Sequence, residues 1–336
     1  MSADKLDITL LMTVYNDSEY LRQSINCILH QNFSEFEFLI IDDGSTDDSA
    51  EIISSYKDPR IVYKKIKHSG LAAALNFGMS KATGDWIARS DADDLSVTNR
   101  LKIQIDHLLK YPETDVLGSW SVYFSDPCEI LFRINPPTED KKIKEFMELH
   151  NPINHSSVIF RKDKILLAGG YDEDFGVYED FELWLRMKNK LSFNIIPESL
   201  VYTRYRKNSL TSLGSREKIY SLLVKNLLNK SHSVKLFKSD NLDINDLHID
   251  LSENIKKKLF WIEYFYGNKT RSRELLKDTN KFRPKDIRKT LAFYNSYLPE
   301  KYFNRVRDMR LRQRIESFKL NKKFFKQELY NLQKLI

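Results

Sequence analysis

The chain has 336 residues, of which 41% are hydrophobic and 30% charged, enough apolar content for a buried core and too much for a disordered chain. At ~100–200 residues per domain it allows one large domain and a smaller one. The two cysteines, Cys27 and Cys128, lie in no C-x-x-C pair or His cluster, which argues against a disulfide scaffold and a structural zinc site, while the net charge of +7 favours an anionic partner without choosing it.

The first residues, MSADKLDITLLMTVYN, lack a basic segment followed by a long apolar one, so no signal peptide is expected. No apolar run approaches the ~18 residues of a membrane span. The expectation is a cytoplasmic protein able to touch a membrane from its side. Residues 8–14, ITLLMTV, are a continuous apolar, β-prone run that predicts a buried strand. Residues 18–31 place Leu21, Ile25, Ile28 and Leu29 at helical spacing, with Ser18 as the N-cap. Then follow a strand at 36–42 (FEFLIID), a helix at 47–56 capped by Asp47, a strand at 60–67 (RIVYKKIK), a helix at 71–82 and a strand at 85–91 (DWIARSD). This alternation predicts a doubly wound parallel sheet.

A helix is predicted over 100–111, ended by Pro112. Further strands are predicted over 115–124, 129–135, 156–162 and 192–197, and helices over 140–149 and 179–190. From about Ser215 helical patterns dominate and Lys and Arg are dense, while 239–252 is acidic and reads as a linker. The expected division is an α/β domain over 1–214 and a basic helical domain over 215–336. No internal repeat is present.

In open α/β sheets, ligands gather beyond the carboxyl ends of the strands. The first predicted strand ends in Thr13, Val14, Tyr15 and Asn16, the second in Asp42 and Asp43. The third ends in Lys67 and His68, and the fourth in Arg89, Ser90 and the cluster Asp91, Asp93, Asp94. Four polar strand ends on one edge are what a pocket requires.

Asp91 and Asp93 are two apart, so in extended backbone they project to the same side. Like charges held together raise each other's pKa unless a cation neutralises them. Hard carboxylate oxygens suit Mg²⁺ or Mn²⁺. The alternative is an Asp-rich cap on the helix after Leu95, a role that Asp94 or Ser96 fills alone. The cation reading is therefore favoured for Asp91 and Asp93. In LIIDDGSTDDS, a tight turn accounts for Gly44 and a helix cap for Asp47, but neither explains two carboxylates at 42 and 43. One of them, facing inward, could accept a nucleobase N–H or a ribose hydroxyl, and Lys67 or His68 could approach a phosphate. A second acidic pair, Glu179 and Asp180, opens a predicted helix after the Gly169–Gly170 turn. Acidic residues there favour the helix dipole. A carboxylate beside a Gly-rich loop is equally well placed as a general base. Residue logic leaves both readings open.

The ordered set LLMTVYN, LIIDDGSTD, GLAAALNFGMSKATGDWIARSDADD and GGYDEDFGVYEDFELWLR resembles the family 2 glycosyltransferases with the GT-A fold, over about residues 8 to 210. The resemblance implies an inverting transferase that uses a nucleotide-sugar, UDP first, and a divalent cation, Mn²⁺ or Mg²⁺. By position, Thr13 and Tyr15 line the nucleoside pocket, and Asp43 meets the base with Asp42 supporting it. Asp91 touches ribose or metal, and Asp93 ligates the metal on the diphosphate. Asp180 is the general base with Glu179 beside it, and Gly169 and Gly170 belong to the acceptor-side loop. The chain departs from the pattern in YRKNSLTS, where Asn208 stands in place of a His that relatives often carry. Arg206 or Lys207 is then available to the phosphates. A structural hydrogen bond is expected of His155. The implied acceptor is a glycan or lipid-linked glycan, as in O-antigen or capsule biosynthesis.

Two rival readings have less behind them. A nucleic-acid-binding role would rest on the basic tail, which shows no recognition motif. A dinucleotide-dependent oxidoreductase would need a GxGxxG, which the first βα turn, VYNDSEY, lacks. The tail suits either an anionic membrane surface or the solvated face of a helical bundle.

Overall fold

A computed structural model of the chain describes residues 6–127, 129–175, 177–206, 223 and 322–333. The first hundred residues lay down the expected alternation. Strand β1 (Ile8–Val14) is buried along its whole length. It is followed by α1 (Ser18–Leu29), β2 (Phe36–Asp42), α2 (Ser49–Ser55), β3 (Ile61–Lys65), α3 (Leu71–Lys81) and β4 (Trp86–Asp91). The four strands pair in parallel in the order β3-β2-β1-β4. β1 and β2 are central and covered on both faces, so their sequences are mostly apolar rather than alternating, with Glu37 of β2 accepting hydrogen bonds from Thr9 and the Thr83 N–H. On one face Leu10, Met12, Phe38 and Ile40 pack with Leu21, Ile25 and Ile28 of α1. On the other, α3 packs closely enough that a Cβ at Gly78 would meet the Leu11 side chain at 2.5 Å.

The second half adds β5 (Leu95–Ser96), α4 (Arg100–Lys110), β6 (Val116–Ser125), β7 (Glu129–Ile134) and α5 (Asp140–Phe146). After these come a 3-10 turn (His155–Ser157), β8 (Ile159–Arg161), α6 (Lys162–Leu167), α7 (Glu179–Met187) and β9 (Phe193–Arg204). The sheet continues from β4 through β8, β6 and β9 to β5. β8 runs antiparallel to both β4 and β6, and β9 runs parallel to β6. The sheet is thus parallel in its first half and mixed in its second.

Two expected caps are corrected. Ser18 does not cap α1: its backbone N–H donates to Asp47 Oδ2 at 2.9 Å, which ties the start of α1 to the β2–α2 loop. Neither Asp94 nor Ser96 caps a helix after Leu95. The chain enters β5 there, pairing Leu95 with Tyr202 and Ser96 with Val201, and α4 begins only at Arg100. Asp94 instead accepts the backbone N–H of Arg204 at 2.8 Å.

The chain divides into two units, Met1–Ser209 with Phe318–Ile336, and Leu210–Ser317. Nearly all described residues belong to the first. The region 215–336, expected as a helical domain, lies outside the described residues except for Leu223 and α8 (Lys322–Gln333). α8 is part of the first unit: Leu329 and Leu332 join the core beside α1, and Glu328 accepts a hydrogen bond from the Tyr202 hydroxyl. Among the described residues, no helix is long and apolar enough to cross a membrane.

Candidate active site

The strand register builds the site. Thr13 of β1 lies opposite Asp91 of β4, and Val14 lies opposite Asp42 of β2, so three polar strand ends share one edge. The Asp43 N–H donates to the Val14 carbonyl at 2.8 Å and closes that edge. Thr13 is buried, whereas Tyr15 is exposed and stacks on His68 at 4.0 Å between ring centroids. Lys67 is exposed and makes no hydrogen bond or ion pair among the described residues.

The two acidic residues after β2 work on the protein itself. The buried Asp42 carboxylate accepts from the Ser45 N–H at 2.7 Å and the Tyr63 hydroxyl at 2.8 Å, with Lys65 Nζ at 3.5 Å. Asp43 accepts from the Ser69 and Gly70 N–H groups at 2.8 and 2.9 Å and from the Ser69 hydroxyl at 3.1 Å, and His68 Nδ1 lies 2.9 Å away. These contacts use most of the acceptor capacity of a carboxylate. They fix the β3–α3 loop and hold His68 beneath Tyr15.

Asp91 and Asp93 differ in environment. Asp91 ends β4, but Asp93 lies in the turn beyond it, so the extended backbone expected to align them stops at Asp91. Asp91 pairs with Arg89, two residues back on the same face of β4 and 1% exposed, and it accepts from the Ser156 hydroxyl. Crowding by protein raises its pKa, but Arg89 and Ser156 outweigh that and hold it below the usual carboxylate range. Its side chain is still 36% exposed, so the charge faces an open side. Asp93 is pushed up to about 7, first by burial and then by repulsion from Asp91, with Arg206 pulling the other way. Arg206 NH2 lies 2.6 Å from Asp93 Oδ2, and its NH1 lies 2.9 Å from Asp17 Oδ1.

The second acidic cluster lies across the 3-10 turn. Glu179 and Asp180 open α7 and are both buried. Asp180 Oδ2 accepts from Asn151 Nδ2 at 2.7 Å, and Oδ1 accepts the Phe181 N–H at 2.7 Å. Burial raises its pKa most; His155 works against this and Glu179 adds to it. His155 places Nδ1 3.4 Å from Glu179 Oε1 and Nε2 2.9 Å from the Tyr171 hydroxyl. The next residue, Ser156, holds Asp91. One tight turn therefore joins both carboxylate clusters.

The first part of the loop before α7, residues 168–173, is clamped from two helices. Asn76 of α3 accepts the Tyr171 N–H at 2.9 Å and donates to the Tyr171 carbonyl and to Glu173, each at 2.9 Å. Arg186 of α7 donates to the Ala168 and Gly170 carbonyls. Gly169 and Gly170 both have left-handed φ, +90° and +71°, which glycine adopts at little cost.

Sequence reasoning missed Asn151, Ser156, Asn76 and Asp17, and it named Arg89 only as a polar strand end, without its pairing to Asp91. Arg89 carried a signal, because an arginine inside an otherwise apolar central strand needs a buried partner. The others are set by partners far along the chain.

The carboxylate edge could hold a hard divalent ion. Among the described residues no three His, Cys, Asp or Glu side chains are grouped to hold one. An ion bound through one or two carboxylates, with a ligand's phosphates completing its shell, is the usual arrangement for Mg²⁺. Asp93 fits it, since it already carries a guanidinium where a cation would sit.

A model of the family described as Glycosyl transferase family 2 matches residues 9–166. An uncharacterized glycosyltransferase of Methanocaldococcus jannaschii is 33% identical over 243 residues, covering 68% of this chain and 82% of that protein. The UDP-Gal:alpha-D-GlcNAc-diphosphoundecaprenol beta-1,3-galactosyltransferase of Escherichia coli is 30% identical over 221 residues, covering 64% of this chain and 80% of that enzyme. Among solved structures, the mannosyltransferase PcManGT of Pyrobaculum calidifontis, in complex with GDP-Man and Mn²⁺, matches with a TM-score of 0.53. At 13% identity, over 98% of this chain and 86% of that one, the likeness is one of fold. Identity at this level across four-fifths of two relatives, on a sheet built in this way, makes the chain a glycosyltransferase of family 2.

Proposed function

We propose that the enzyme transfers a hexose or N-acetylhexosamine from a UDP-sugar to a hydroxyl of a lipid-linked glycan, with inversion at the anomeric carbon. The observation that carries this reading is the 3-10 turn whose consecutive residues His155 and Ser156 hold Glu179 and Asp91. Its tie between the Glu179–Asp180 pair and the Asp91 edge supports a proton acceptor and a cation-binding carboxylate acting on one substrate pair. The E. coli relative, named for a UDP-Gal donor and a diphosphoundecaprenol-linked acceptor, supports the choice of substrates.

In this reading Thr13 and Tyr15 border the nucleoside, with Asp42 and Asp43 shaping its base-side wall. Asp91 faces the ribose, and Lys67 is free to approach a phosphate. Asp93 would hold Mn²⁺ or Mg²⁺, which when bound would supply positive charge to the nucleoside diphosphate leaving group. An acceptor hydroxyl is a weak nucleophile at neutral pH. Asp180, its pKa raised by burial, takes that proton as the hydroxyl attacks from the face opposite the diphosphate. Asn151 and the Phe181 N–H aim the carboxylate, and Glu179 and His155 brace it. The Gly169–Gly170 loop, held by Asn76 and Arg186, borders the acceptor.

A transfer and hydrolysis screen over UDP- and GDP-sugars, with Mn²⁺ and with chelator, tests this. Turnover of UDP-sugars that chelator abolishes is expected. Turnover indifferent to chelator would remove the cation from the reading. A lipid-linked acceptor also calls for peripheral contact with the inner face of the membrane, for which the basic C-terminal region is suited. Flotation with anionic liposomes is expected, and protein left entirely in the aqueous fraction would count against it.

A further inference from the structure

Arg204 and Arg206 lie two residues apart at the end of β9 and are held very differently. Arg204 is 4% exposed and fixed on several sides. It pairs with Asp126 and donates to the Asp93 carbonyl at 2.9 Å and to Gln23 Oε1 at 2.8 Å. Its backbone N–H is held by Asp94. Arg206 has 34% of its side chain exposed; its two terminal nitrogens pair with Asp17 and Asp93, and its guanidinium lies over the Tyr20 ring at 5.4 Å from the centroid. Its Nε is buried with no hydrogen-bond partner among the described residues, a state that costs free energy. Arg204 is built into the fold, whereas Arg206 is held by the two charges it neutralises.

Those charges include the carboxylate assigned to the cation. A guanidinium only donates, so Arg206 covers the oxygen of Asp93 that a metal ion would need. We infer that Arg206 is an internal counter-cation for Asp93, holding that carboxylate in the donor-free enzyme and releasing it to a divalent ion only when a nucleoside diphosphate arrives too. This rests on the function proposed above.

The reasoning is electrostatic. A bare Mn²⁺ entering the site must displace Arg206 and leave it beside a second positive charge. A Mn²⁺ that arrives with a diphosphate brings anionic oxygens, to which the displaced guanidinium can donate in its two-pronged geometry. Metal and donor therefore favour each other's binding, and Arg206 is the positioning residue that links them. Coupled sites of this kind typically shift affinity by roughly 5–150-fold.

The test is Mn²⁺ titration of the full chain, following the paramagnetic resonance of free Mn²⁺, with and without UDP. Wild type, Arg206→Gln, Arg206→Lys and Asp93→Asn are compared, with melting curves to confirm folding. Wild type is expected to bind Mn²⁺ about tenfold or more tightly with UDP than without it, within that coupling range. Arg206→Gln is expected to bind bare Mn²⁺ more tightly than wild type and to lose most of the UDP enhancement. Arg206→Lys, which keeps the charge, is expected to restore weak binding of the bare ion. Arg206→Gln binding bare Mn²⁺ no more tightly than wild type would overturn the inference. If, in that case, the UDP complex still needs Asp93 for Mn²⁺, the proposed function stands and the counter-cation alone fails. Asp93→Asn binding Mn²⁺ with UDP as well as wild type does would overturn both.

Discussion

The carboxylates on the two walls of the proposed cleft are held in opposite ways. On the side proposed for the donor, the donor wall, Asp91 pairs with Arg89 and Asp93 with Arg206. On the side proposed for the acceptor, the acceptor wall, Asp180 meets an amide and a backbone N–H, and among the described residues no lysine or arginine pairs with it. A carboxylate with a cation at hand keeps its charge and is suited to anchoring or to metal exchange. A carboxylate buried without one is pushed toward the protonated form and is suited to accepting a proton. Asp93 combines both features: its pKa stays at about 7 despite Arg206, because burial and Asp91 outweigh that partner. A doubly charged ion therefore has more to offer it than a guanidinium has.

Substitutions on either wall can break or sharpen this contrast. The largest effect is expected from Asp93→Ala, which should lower kcat/KM on the order of 10³-fold at saturating Mn²⁺, because the leaving diphosphate loses its counter-charge. A loss under tenfold would break the assignment of the donor wall. Next is Arg89→Met, which leaves Asp91 without its buried partner and should cost about 1–3 kcal/mol of stability in urea unfolding, less than for a fully buried pair because water reaches the Asp91 carboxylate. A cost below 1 kcal/mol would mean the pair does not support the edge.

The acceptor wall is finer-grained. A Cβ at Gly170 would lie 2.5 Å from Asn76 Oδ1, whereas at Gly169 nothing lies within 4 Å. Gly169→Ala should then cost only the left-handed strain, roughly 1 kcal/mol. Gly170→Ala should cost about 1–3 kcal/mol and raise the acceptor KM, because the Asn76 clamp must give way. Equal effects at the two positions would argue that the clamp does not shape the loop.

The smallest expected effect is one of stability. The raised pKa of Asp180 means that the folded protein carries a proton over a pH range in which the unfolded chain does not. That contribution is full below the unfolded value of about 3.9 and is lost as pH rises through the folded value. Asp180→Asn should therefore melt higher than wild type at pH 8, with the gap closing as pH falls toward 4. A gap that widens on acidification would contradict the raised pKa.

Much of this was legible in the sequence. β1 and β2 run over the predicted residues, 8–14 and 36–42, because mostly apolar runs bounded by polar turns leave little freedom in where a strand ends. The polar ends of the first, second and fourth strands were visible for the same reason, whereas the third strand ends at Lys65, two residues before the expected Lys67. β5 was not, since two residues become a strand only by pairing with β9, and that pairing took Asp94 away from its expected cap. The link through His155 and Ser156 was equally hidden. NPINHSS carries no periodicity, and its partners, Asp91 and Glu179, lie far away on either side in the chain. For Glu179 and Asp180, the sequence left the dipole and general-base readings level. The contacts from Asn151 and His155, which no local pattern announces, are what favour the second.

The most direct measurement is on Asp180→Asn, with UDP-sugar binding by calorimetry in the presence of Mn²⁺ and turnover assayed on the same sample. The account predicts donor affinity within a few-fold of wild type and transfer reduced by about 10²–10⁴-fold, since the donor wall is untouched and the proton acceptor is gone. Transfer near the wild-type rate, or donor binding lost together with transfer, would contradict the division of work between the two walls.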